Sequence, residues 1–352
     1  MLRYMTAGES HGRCLVAVIE GMIAGLKVDE SFLTGELKRR QQGYGRGARM
    51  SIESDRVEIL SGLRKGITIG SPIALMIENR DSSIDRLPEV TCPRPGHADL
   101  VGSLKYDCRD VRCALERASA RETAARTAAG AVCKIFLSRF GITVASRIIM
   151  IGGIRAGSAD SKLIRDRIDT ARRKGDTLGG IFEVAAKGAP AGLGSYSSAD
   201  RRLDGRLAAA LMSIPAIKGV EIGLGFGCAE RFGSDVHDAI YFDAKRRFFR
   251  KTNNAGGIEG GVSNGEPIVA RCAMKPISTL LNPLASVDLR TKRPKMAAIE
   301  RSDICAVLSA AVVGEAAVSF EIARAMLEKF GGDSLGEARR NYEGYLKQLK
   351  NY

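Results

Sequence analysis

Apolar and polar positions along the chain sort into two periods. The run Cys14-Leu15-Val16-Ala17-Val18-Ile19-Glu20 is apolar and β-branched, and predicts a strand. Asp29 then stands where a helix N-cap would, ahead of Phe32, Leu33 and Leu37 at helical spacing. That helix is predicted to end at Lys38-Arg39-Arg40-Gln41-Gln42, before the loop Gly43-Tyr44-Gly45-Arg46-Gly47. Residues 57–60 and 72–77 read as a hairpin or meander joined through glycine. Further strands are predicted at 142–151, 180–187, 219–224, 238–243 and 267–274, and a helix at 201–213.

Two long Ala-rich helices are predicted, over 117–140 and 303–330, each stopping at a glycine, Gly141 and Gly331. A polar helix is expected over much of 334–350. The two long helices share an opening. Glu116-Arg117-Ala118-Ser119 is followed by Gly130, and Glu300-Arg301-Ser302-Asp303 by Gly314 at the same spacing. Each follows strand-like segments, which suggests two related halves around a helical centre. Small residues along both helices would let their backbones approach closely.

Composition narrows the function classes. The 352 residues are 45% hydrophobic, enough for a sizeable core, and the formal charge is +14. That charge suits nucleic acid, an anionic membrane surface or anionic metabolites. Aromatics make up 5% and Trp is absent, which disfavours base stacking. The eight cysteines form no Cys-x-x-Cys pair and read as reduced cytosolic thiols. The N-terminus lacks the apolar core of a signal peptide, and the apolar stretch 304–320 carries Glu315, so it reads as a buried helix and not a membrane span.

The candidate chemistry lies in glycine-flanked motifs. Two of the three histidines occupy Gly8-Glu9-Ser10-His11-Gly12 and Arg94-Pro95-Gly96-His97-Ala98-Asp99. Histidine titrates near neutral pH, and adjacent arginine suits a carboxylate or phosphate, so proton transfer on an anionic small molecule is expected. Arg39, Arg40, Arg46 and Arg49 crowd one glycine loop, while Arg117, Arg121 and Arg301 stand at the predicted helix openings. Cations at a helix N-terminus oppose its dipole unless an anion sits there. The glycine-rich run 252–265 is either a surface loop or a backbone-lined ligand wall. It leads to Lys275-Pro276-Ile277-Ser278-Thr279, whose cation and hydroxyls suit a phosphate. A Gly-x4-Gly-Lys-Ser/Thr loop, a full dinucleotide fingerprint and zinc-ligand spacing are all missing.

Taken together, the segments 8–12, 39–53, 79–81, 94–99, 105–106, 116–125, 218–225, 252–267, 273–279, 286–289, 301–307 and 330–335 resemble the chorismate synthase family, in family order. The resemblance implies an α+β fold over a single domain, 1–352, with a helical core between antiparallel sheets in approximate two-fold halves. It implies a carbon–oxygen lyase that converts 5-enolpyruvylshikimate 3-phosphate to chorismate and phosphate by 1,4-anti-elimination, the last step of the shikimate pathway. The implied cofactor is reduced FMN. A cytoplasmic homotetramer is expected, with an external flavin reductase as the source of FMNH2 and no nucleic acid or membrane partner.

By that resemblance, His11 matches the histidine near the leaving phosphate, His97 the histidine near the flavin, and Asp303 the carboxylate that relays the substrate proton. Ser10, Arg40, Arg46, Arg49, Arg94 and Arg121 match substrate-anion positions, with NADP within reach of Arg40 and Arg46 in members that reduce their own flavin. Flavin contacts map to Arg117, Ala118, Ser119, Pro215, Ala216, Gly260, Lys275, Pro276, Ile277, Ser278, Thr279 and Arg301. The chain departs from the common pattern at Pro215, which lacks a backbone N–H, and in a shorter connection between Asp81 and Arg94. His237 lies outside these motifs and reads as structural. The rival classes are a basic nucleic-acid-binding protein, resting on charge alone, and a flavin oxidoreductase.

Overall fold

The computed structural model describes residues 1–47, 54–157, 161–300 and 302–352. Strands β1 (Arg3–Ala7) and β2 (Cys14–Glu20) form a hairpin, and helix α1 (Glu30–Gln41) follows. Asp29 caps α1 by accepting the Ser31 N–H. Leu33 and Leu37 are buried, whereas Phe32 of the same expected stripe stays exposed. Strands β3 (Val57–Ile59) and β4 (Ile73–Glu78) complete an antiparallel sheet in the order β1-β2-β4-β3. Alternation decides its faces. Leu15, Ala17 and Ile19 of β2 lie opposite Ile77, Leu75 and Ile73 of β4, all buried on one side.

Helices α2 (Asp99–Tyr106), α3 (Arg112–Ala118) and α4 (Thr123–Ser138) come next. The single helix expected over 117–140 is therefore broken. Ser119 leaves the helical region (φ −61°, ψ 141°), and its hydroxyl accepts the Arg121 N–H to start a short 3₁₀ turn at Ala120–Glu122. Alanine propensity supports a continuous helix here, but the turn competes with it. Strand β5 (Thr143–Ile151), helix α5 (Ser161–Arg173), strand β6 (Gly180–Lys187), helix α6 (Leu203–Met212), and strands β7 (Ile217–Ile222) and β8 (Ile268–Met274) follow. The second sheet is antiparallel, in the order β7-β8-β6-β5 with Ile154–Arg155 at its edge. Helices α7 (Val307–Phe330) and α8 (Leu335–Asn351) close the chain. A capping box of Ser334 and Glu337 opens α8.

Helices α4 and α7 pack against each other between the sheets. Helix α4 covers β2 and β4, and α7 covers β5 and β6. The close packing of the two helices on each other, and of α7 on β6, depends on missing side chains. A Cβ on Gly130 would lie 2.4 Å from the Ala316 Cβ, and one on Gly314 would lie 2.7 Å from the Phe182 ring. This sheet–helices–sheet sandwich is the α+β architecture expected from the sequence. Helix α7 also begins later than expected. The N–H of Ile304 donates to Gly45 O, and Ile304 O accepts from Leu178, so the segment carrying Asp303 is drawn sideways and stays outside the helix.

Buried in this interior is an ionic cluster. Glu315, fully buried on α7, accepts from Arg39, Lys134 and Ser146. Among the described residues, no helix is long and apolar enough to cross a membrane. All eight cysteines are free; Cys92, Cys133, Cys272 and Cys305 are buried, and Cys113 and Cys228 are exposed.

Candidate active site

One end of the helix pair opens into a cavity of about 590 Å³, within the range of small-molecule sites. Its wall is assembled from distant segments: the β1–β2 loop with Ser10 and His11, the end of α1 with Arg40, the 94–98 turn, the α3–α4 break, the residues after β8, and the residues before α7. The α3–α4 break is thus a site feature, placing Ala118, Ser119, Ala120 and Arg121 along the wall.

Each histidine is held by a carboxylate. His11 Nδ1 lies 2.8 and 3.0 Å from the two Glu116 oxygens, and the His11 amide donates to Glu116 at 3.0 Å. Burial opposes charge on Glu116, but the His11 and Arg112 hydrogen bonds outweigh it and hold its carboxyl below the usual range. An ionised carboxylate only accepts, so the Nδ1 carries the proton. His97 Nδ1 lies 2.5 Å from Asp99, which also accepts from Arg94 Nε at 2.8 Å and from the Arg94 amide. Asp99 is fully buried; that burial disfavours its charge, yet His97 and Arg94 hold its carboxyl well below the usual carboxylate range.

The arginines are ordered from below. Asp55 is buried and ion-pairs with Arg121 at 2.6 Å and with Arg40 at 3.5 Å. Arg121 also donates to Asn79 Oδ1, whose amide group donates to Glu9 O and Gly12 O. Desolvation lowers the Arg40 guanidinium to about 10, with Asp55 opposing. Arg46 ion-pairs with Asp303 at 2.8 Å, and the Gly47 N–H donates to the other Asp303 oxygen at 2.7 Å. Only glycine fits at 47, since a Cβ would meet the Ser302 carbonyl at 2.7 Å. Arg94 donates to Asp99 and Thr279 and so braces the turn as well as facing the cavity.

Most of the expected site residues meet on this wall: Ser10, His11, Arg40, Arg46, Arg94, His97, Ala118, Ser119, Arg121, Pro215, Ala216, Lys275, Pro276, Ile277, Ser278, Thr279 and Asp303. Two do not line it. Arg117 turns outward to the Gly8 and Thr6 carbonyls. Gly260 sits in the turn between Ile258–Glu259 and Val262–Ser263. Arg49 and Arg301 lie outside the described residues. The glycine-rich run is an ordered surface hairpin, its start tied to Asp238 through the Asn254 and Ala255 N–H groups, and it borders a separate cavity of about 190 Å³.

Asp55, Asp99 and Glu116 were not among the expected site residues. Asp99 had a local signal, two residues from His97; the other two had none, because their partners are brought to them only by folding.

The wall suits a flavin. Ile214, Ala216, Met274, Ile277, Ala310 and Val313 give an apolar slot, and Lys275, Ser278 and Thr279 give a cation and hydroxyls beside it. Pro215 offers no N–H. Ala216 adopts φ +70°, uncommon for a residue with a Cβ, and its carbonyl accepts the Lys275 N–H at 2.9 Å. Lys275 itself donates to Gly96 O, tying this segment to the His97 turn.

Comparison with known proteins decides the family. The chorismate synthase family model matches residues 2–327. The chorismate synthase of Geobacter sulfurreducens (strain ATCC 51573 / DSM 12127 / PCA) is 55% identical, with all of both chains covered. That of Thermoanaerobacter pseudethanolicus (strain ATCC 33223 / 39E) is 56% identical, again with full coverage of both. The chain belongs to the chorismate synthase family. A chorismate synthase crystal structure superposes with a TM-score of 0.83 at 43% identity, covering 100% of this chain and 99% of that one. The chain is accordingly a chorismate-forming carbon–oxygen lyase of aromatic amino-acid biosynthesis, with a small-molecule substrate. Family members use reduced flavin. Arg40, Arg94, Arg112 and Arg121 are buried side chains.

Proposed function

We propose that this cavity binds 5-enolpyruvylshikimate 3-phosphate and FMNH2 together. The observation that carries the reading is the meeting of His11, His97 and Asp303 on one wall that also carries arginines. The substrate's two carboxylates and phosphate account for Arg40, Arg46 and Arg121 on the wall with Ser10, with Arg94 shared between substrate and turn; Arg49 joins them on the family resemblance alone. Such guanidinium forks suit carboxylate and phosphate oxygens.

When bound, reduced FMN supplies electron density to the breaking C–O bond and takes it back, so there is no net redox change. The chain's own groups do the rest. His11, with its Nδ1 held on Glu116, offers Nε2 as proton donor to the departing phosphate. His97, held the same way on Asp99, offers Nε2 at the flavin end. Asp303 receives the proton lost from the substrate, and Arg46 stabilises its carboxylate. The flavin would rest on the slot of Ala118, Ser119, Pro215, Ala216 and Lys275–Thr279; Arg301 is kept as a flavin contact on the family resemblance alone, and Gly260 and Arg117 stay outside the slot in one protomer. With no N–H at Pro215, its share of that contact is made by side chain and carbonyl alone.

That the chain works as one domain is supported by a cluster of buried hydrophobics that, among the described residues, runs from Leu2 to Ala338. A cytoplasmic homotetramer supplied with FMNH2 by an outside reductase completes the reading. Exposed Phe226, Phe232, Phe242 and Phe248 offer surface that self-association would cover.

The test is an anaerobic assay with this substrate and chemically reduced FMN. Equal chorismate and phosphate, both absent with oxidised FMN, support the proposal. Folded, flavin-binding protein that forms neither would overturn it. Turnover with NADPH and oxidised FMN without added reductase would overturn the outside supply.

A further inference from the structure

The geometry points to Glu116 as a positioning residue for His11, braced by Arg112 from the far side. This rests on the proposed role of His11 and deepens it. Glu116 is about 2% exposed and does not line the cavity, so it reaches the reaction only through the imidazole. Its carboxylate accepts hydrogen bonds from both the Nδ1–H and the amide N–H of His11, fixing ring and backbone together. Its own backbone carbonyl accepts the Ser10 N–H at 3.0 Å, so Glu116 holds both residues of the 10–11 segment.

Behind it, Arg112 donates to Glu116 at 3.1 Å and to Glu300 at 3.1 Å, and Glu300 returns to the cavity wall. Arg112 therefore neutralises a buried carboxylate that would otherwise be costly, leaving it ionised and able only to accept. The consequence is a fixed tautomer. With Nδ1–H committed to Glu116, Nε2 is the nitrogen that exchanges a proton in the cavity. The Asp81 carboxylate stands 4.0 Å from Nε2.

Glu116→Gln keeps the shape and removes the charge. Expected is a fall in kcat of about tenfold to a hundredfold, smaller than that of His11→Ala, with KM and FMN binding near those of the unmodified chain. The limb of the pH–rate profile that needs a protonated imidazole moves to lower pH, because the neighbouring negative charge is gone. Glu116→Asp restores part of the rate. In the free protein, the Nδ1–H of His11 gives a downfield NMR signal that Glu116→Ala abolishes; three histidines in the chain make it assignable.

In a His11→Ala background, Glu116→Gln costs nothing further if it acts through the ring. The proposal is overturned if Glu116→Gln turns over normally while His11→Ala does not, or if the two losses add in full. Near-normal turnover of His11→Ala itself would instead remove His11 from the mechanism, and Glu116 with it.

Discussion

Arg46 Nη1 and Asp303 Oδ2 stand 2.8 Å apart on the cavity wall; in the proposed mechanism the first grips a substrate anion and the second accepts a proton. The ion pair holds the two side chains against each other. Asp303→Asn separates the two roles. It should lower kcat by about a hundredfold or more, since a neutral amide takes up no proton, while KM holds or falls because Arg46 loses a competing anion. Steady-state kinetics under reduced FMN decide it; a large rise in KM with unchanged kcat would refute the assignment.

Asp55 pairs with two buried arginines, so its removal takes an ion-pair partner from both. Asp55→Ala should cost about 3–5 kcal/mol of stability, typical of breaking a buried ion pair from one side. Denaturant unfolding measures this. Retained stability would show that Arg40 and Arg121 find other partners.

Acid should release the Glu315 cluster. Burial raises the Glu315 carboxyl, but Arg39, Lys134 and Ser146 outweigh it and bring it from 4.5 down to about 2. The folded value lies below the unfolded one, so its stabilisation is complete above about pH 4.5 and drains away as pH falls toward about 2. The stability gap between the unmodified chain and Glu315→Gln should therefore narrow over that window. A gap that stays constant from pH 6 to pH 3, read from urea midpoints, would contradict it.

Gly130→Ala places a methyl where Ala316 already stands. Overpacking typically costs about 1–3 kcal/mol, and more is expected here because the Ala316 Cα, at 2.5 Å, is backbone that cannot rotate away. By contrast Gly141→Ala meets nothing within 4 Å and pays only for its φ of +73°. Comparing the two melting temperatures checks the close helix approach; equal losses would argue against it.

Much of the fold was legible because local patterns and tertiary packing agreed. The 14–20 strand, the Asp29 cap, the strand over 180–187 and the helix ending at Gly331 each satisfy a short-range rule and also bury the face that rule exposes. The rules failed at the site. Alanine content predicts helix through Ser119 and from residue 303, yet both segments are diverted to line the cavity or to bond the glycine loop. The motifs themselves named His11, His97 and Asp303 by family resemblance, and chemistry of residue type explained why.

What the sequence determined by itself was therefore the kind of chemistry and the elements that frame it, since strand alternation, caps and glycine stops act over a few residues. What only the tertiary structure decided was which carboxylate serves which cation. Glu116 under His11, Asp55 between Arg40 and Arg121, and Asp303 on Arg46 are pairings across 105, 15, 66 and 257 positions of chain. No local pattern encodes them, because a buried charge selects its partner by distance in space, and that distance is set by how the two sheets and the paired helices close on one another.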